Sequence, residues 1–76
     1  MNEEYYYLLL PYKHDMEIWC TLRASVSTDK LRAIGSIHDK MFPNSKPINY
    51  GCYGCVNSMM HLVYNAFKAY ENTISK

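Results

Sequence analysis

The strongest pattern in the chain lies in its C-terminal third, where Cys52, Val56, Met59, Val63, Ala66, Tyr70 and Ile74 recur at steps of three or four residues. That spacing aligns them along one face of a helix. No proline interrupts residues 53–74, and at 1.5 Å per residue the segment predicts a rod of roughly 33 Å, long enough to cross the whole domain. Met60, Leu62 and Phe67 form a second apolar face, so the helix is expected to have partners on two sides. Asn65, Lys68, Glu71 and Asn72 are left for water.

Upstream, Ser27, Thr28 and Asp29 are helix-capping residue types that precede Leu31, Ala33, Ile34, Ile37, His38, Met41 and Phe42. They predict a helix from about Thr28 to Met41. Gly35 falls inside it, at about 1 kcal/mol less favourable than alanine, which predicts that another group packs closely there. Pro43 restricts the residue before it, and residues 43–47 read Pro-Asn-Ser-Lys-Pro, so the helix should stop at Phe42.

The first 26 residues allow two readings. Asp15 suits the cap of a short helix through Met16, Ile18, Trp19, Leu22 and Arg23, although residues 17–22 also alternate as a strand does. Asn2, Glu3 and Glu4 ahead of residues 5–10 suit a capped helix with acids at its positive end, although Tyr-Tyr-Tyr-Leu-Leu-Leu is also strand-like. Helix is the preferred reading of both, with Pro11 ending the first element. The expected architecture is all-α: one domain over residues 1–76, a small bundle of three to four helices with a long C-terminal helix.

Composition sharpens this picture. In 76 residues, 49% hydrophobic with three Gly and three Pro, there is material for one core and too many large apolar side chains for a disordered linker. A net charge of +1 excludes a protein that holds nucleic acid mainly by neutralising phosphates. The charge is uneven, because Glu3, Glu4, Asp15 and Glu17 outweigh Lys13 early while basic residues dominate later. Arg23, Lys30, Arg32, Lys40 and Lys46 are the cations expected to share a surface, most simply a solvated helix face and otherwise a patch for an acidic or nucleic-acid partner. An odd number of cysteines, an acidic start and an apolar run too short for a membrane span lead to the expectation of a cytoplasmic protein with reduced thiols.

Candidate chemistry is sparse. Cys52-Tyr53-Gly54-Cys55 could chelate zinc or cycle as a dithiol at a helix start. Zinc needs two further ligands, for which only Cys20, His14, His38 and His61 remain. A thioredoxin-like site needs a preceding strand, which the pattern lacks. Free thiols are therefore the preferred reading, with no cofactor. His14 and Asp15 are adjacent, hence not aimed at one point on a helix. No nucleophile elbow, phosphate-cradling glycine run or spaced carboxylate pair is present, and an enzyme is not expected. The aromatics are more informative: eight Tyr, two Phe and one Trp exceed what so small a core should enclose. Some must be exposed, either capping the margin of the core with hydroxyls in water or at an interface, where such rings contribute large contact area at low entropic cost; on the second reading Tyr5, Tyr6, Tyr7, Tyr12, Trp19 and Tyr50 are the candidate partner-binding residues.

Phe42-Pro43, Pro47 and Asn49-Tyr50-Gly51-Cys52-Tyr53-Gly54-Cys55, leading into Met59 and Tyr64, resemble a pattern in short proteins of Bacteroidota and their phages. In these a helix ends in a Phe-containing turn and a Cys-x-x-Cys opens the next. The likeness covers little more than a third of the chain and implies no activity. In class, the small, Tyr-rich and catalytically bare profile is also similar to phage anti-defence proteins such as anti-CRISPRs. That likeness implies a small protein-binding inhibitor, located in the host cytoplasm, of a larger enzyme such as a CRISPR RNA-guided nuclease. The alternatives are a nucleic-acid-associated module using the five basic residues, with or without zinc at Cys52 and Cys55, and a phage assembly protein that oligomerises through its aromatics.

Overall fold

The computed structural model describes residues 3–74. A first helix, α1 (Glu3–Leu9), passes through a 3-10 turn (Leu10–Tyr12) into α2 (Lys13–Leu22), followed by α3 (Thr28–Met41) and α4 (Tyr53–Ile74). No strand occurs among the described residues, so both ambiguous N-terminal segments resolve as helix. Asn2, the expected cap of α1, lies outside the described residues.

One expectation about the N-terminal half needs correction. As expected, α1 ends ahead of Pro11, which sits in the 3-10 turn between two helices, where a fixed φ and a missing N–H suit the start of helical structure. Asp15 does not cap α2. It is buried in the first turn of that helix, and its carboxylate accepts a hydrogen bond from Lys30 Nζ at 3.1 Å, which ties α2 to the start of α3. The end of α2 is set by Arg23, whose φ of 54° is left-handed. The Arg23 and Ala24 N–H groups both reach the Ile18 carbonyl, closing a terminus of the kind that usually uses glycine.

The α3 boundaries match the sequence reading. Ser27 Oγ accepts from the Lys30 N–H, and beyond Phe42 the Ser45 hydroxyl and N–H both return to the Phe42 carbonyl. Gly35 is buried against Tyr50, with a Cβ there colliding with the hydroxyl and approaching ring Cζ to 3.0 Å. Close packing at this glycine is thus met by a side chain from the α3–α4 connection.

Helix α4 is the spine. Leu9, Met16, Ile34, Met60, Val63 and Phe67 are the fully buried centre, drawn from all four helices. Helix α2 runs antiparallel to α4, because Lys13 meets Glu71 near one end and Trp19 meets Tyr53 and Asn57 near the other. Helix α1 covers the C-terminal half, with Tyr6 stacked on Phe67 at 4.8 Å and tilted against Tyr70. The Tyr5 hydroxyl joins α1 to the Lys40 carbonyl of α3. Three α4 assignments differ from expectation: Leu62 is 47% and Ile74 49% exposed, and Glu71 is half-buried. The Glu71 carboxylate gathers Lys13 at 2.9 Å, Lys68 at 3.1 Å and the Tyr6 hydroxyl at 3.3 Å. Among the described residues no helix is long and apolar enough to cross a membrane.

Candidate functional site

Antiparallel pairing of α2 with α4 brings two i, i+4 stripes face to face. Trp19 and Arg23 project from the end of α2, and Tyr53, Asn57 and His61 from the first turns of α4. Together with Cys20 they line a cleft of about 300 Å³. Trp19 forms its floor, 8% exposed, with its indole N–H donating to Asn57 Oδ1 at 3.0 Å. Tyr53 stacks on it at 5.5 Å between ring centroids while remaining 66% exposed. Leu22, next to the cleft residue Arg23, is 72% exposed. Arg23 contributes the cleft's cationic group and no carboxylate lines it. Burial pushes the Cys20 thiol up from its ordinary range, so this sulfur lines the cleft as a neutral, weakly reactive group.

The aromatic candidates do not form one surface. Tyr6 and Trp19 are core residues, while Tyr7 and Tyr53 are the rings left strongly exposed. Tyr5, Tyr12 and Tyr50 are partly buried against the core, and Tyr50 also lies under Arg32, 5.1 Å from guanidinium carbon to ring centroid. Tyr7 alone of the six is strongly exposed, at 58%. It belongs to α1, over the Phe67 end of α4, about 21 Å along that helix from Tyr53.

The basic candidates are dispersed as well. Lys30 is paired with Asp15 and Arg32 rests on Tyr50, about 200° apart around α3 at 100° per residue. Lys40 is exposed near the end of α3, Lys46 lies in the following loop, and Arg23 is at the cleft. Lys30 and Arg32 thus leave α3 on different sides, and all five cations are exposed.

Of the histidines, His38 is buried beside Asp39, with Nδ1 to Oδ1 at 3.2 Å, and His61 lines the cleft. Cys52 and Cys55 adjoin each other at the start of α4, and among the described residues no group of three or more His, Cys, Asp or Glu could hold a metal ion. Sequence reasoning named Trp19 and Arg23 for separate reasons and missed Leu22, Tyr53 and Asn57. The i, i+4, i+8 spacing of Tyr53, Asn57 and His61 was visible, but nothing local indicated which helix would face it. No protein-family model matches the chain, and no curated protein or solved structure matches it either.

Proposed function

We propose that the protein is a small binding module that acts by occupying a surface of a larger protein, with the α2–α4 cleft as its anchor site. The observation that carries this reading is a pinned indole beneath a largely exposed tyrosine, with Arg23 lining the same cleft and the exposed Leu22 next to it along the chain. Trp, Tyr and Arg are the residue types in which interface energy concentrates, above all where the ring is already rigid. A volume near the bottom of the range for small-molecule sites suits one or two inserted side chains. A cationic cleft without carboxylates favours neutral or acidic ones. The likeness in class to phage anti-defence proteins makes an RNA-guided CRISPR nuclease the first partner to test, with inhibition by surface blocking as the mode.

The test is affinity capture from bacterial host cells, followed by binding of the purified partner to folded variants. Tyr53→Ala is expected to weaken binding by about 2 kcal/mol or more, and Leu22→Ala by less, whereas Tyr7→Ala at the far end of α4 leaves it unchanged. Unchanged binding by Tyr53→Ala, Leu22→Ala and Arg23→Glu overturns the cleft assignment. Capture of RNA or DNA with steep salt dependence replaces it with a nucleic-acid function.

A further inference from the structure

The geometry at the start of α4 points to a redox site: we propose that Cys52 and Cys55 form a reversible dithiol–disulfide couple that exchanges with glutathione-like or protein disulfides. This inference goes beyond the docking function and stands independently of it. The turn before α4 holds Cys52 in the capping position. Its N–H donates to the Asn49 carbonyl at 3.0 Å, the Gly51 N–H to Asn49 Oδ1 at 3.0 Å, and the Cys52 carbonyl accepts from the Val56 N–H at 3.1 Å. In that position Cys52 Sγ takes the place of a capping oxygen, accepting from the Cys55 N–H at 3.3 Å. The Cys55 thiol lies directly against the same sulfur. No disulfide joins the two cysteines, Cys55 is exposed and Cys52 partly exposed, so a disulfide in solution has access to the pair.

The two thiols are electronically unequal. Hydrogen bonds from the Cys55 thiol and from the Cys55 and Gly54 backbone hold Cys52 below the ordinary thiol range, while the same proton, kept on Cys55, pushes Cys55 up. The positive end of a 22-residue helix acts in the same direction on Cys52. Cys52 is therefore the attacking sulfur and Cys55 the resolving one. The Cys52 thiolate attacks a disulfide RSSR, breaking its S–S bond, forming Cys52–S–S–R and releasing RS−, which takes a proton from water. Cys55 then loses its proton and attacks Cys52 Sγ. A Cys52–Cys55 bond forms and the second RS− leaves. Two cysteines lose two electrons and two protons, and RSSR becomes two RSH.

The whole chain is equilibrated in buffers of reduced and oxidised glutathione, quenched with acid and weighed intact. The oxidised protein is expected to be lighter by two hydrogens, to carry no glutathione and to revert in reducing buffer. Iodoacetamide at neutral pH should label Cys52 at least about tenfold faster than the buried-shifted Cys20. Cys55→Ser, with the resolving thiol gone, should retain one glutathione on Cys52. Cys52→Ser keeps a good helix cap, so its helical content should be unchanged, while the remaining Cys55 labels more slowly than Cys52 does in the parent. Separate mixed disulfides on both cysteines of the parent, equal labelling of Cys52 and Cys20, or one bound zinc that protects both thiols would overturn the proposal.

Discussion

At Gly35 two residue-level forces oppose each other. Alanine gains about 1 kcal/mol of helix propensity, but its methyl enters the space of the Tyr50 ring, which is itself held under Arg32. Gly35→Ala is expected to lower the melting temperature, and the same change in a Tyr50→Ala background to raise it. A double-mutant cycle by thermal denaturation reads the difference. Arg23 poses the reverse case, because a β-carbon at φ 54° is strained and glycine relieves that strain. Arg23→Gly should stabilise the fold by about 1 kcal/mol yet weaken partner binding, because the cleft's cation is lost. Chemical denaturation alongside the binding assay separates the two effects.

At the scale of elements, α1, α2 and α4 are joined through Glu71. Its carboxyl is held below the ordinary carboxylate range by the Lys13 hydrogen bond and then that of Lys68, against a smaller opposing effect of burial. A depressed native pKa means the fold is favoured above the ordinary Glu value of 4.5 and loses that contribution as pH falls through the native value. The melting temperature should therefore fall more steeply below about pH 5 for the parent than for Glu71→Gln, while at pH 7 the variant melts lower. Parallel pH profiles would show that the network is absent in solution. The α2–α4 pairing that creates the cleft depends on this end as well as on Trp19 and Asn57.

For the molecule as a whole, one small core must hold four helices. Val63 is fully buried at its centre, and Val63→Asp places an unpaired charge there at a cost of several kcal/mol, a large part of the total stability of a domain this size. The cooperative unfolding transition should disappear in calorimetry. A variant that melts within a few degrees of the parent would show that Val63 faces water. Features that depend on neighbours along the chain were legible in the residues alone: the α3 and α4 boundaries, the buried row Val56, Met59 and Val63, the close contact at Gly35 and the Cys52–Cys55 spacing. These follow from the 3.6-residue period, capping and proline, all local. Tertiary structure decided how much of each face is used. Eleven aromatic rings look like a surplus in a list, but burial depends on which helix lies opposite, and α1 crossing α4 consumed Tyr6 while α2 consumed most of Trp19. Likewise helix phase and the Asp15 ion pair set Lys30 apart from Arg32, and Glu71 was drawn inward by two lysines, one of them 58 residues away along the chain. The cleft belongs to this second category, since its two walls come from helices whose mutual register no local pattern records.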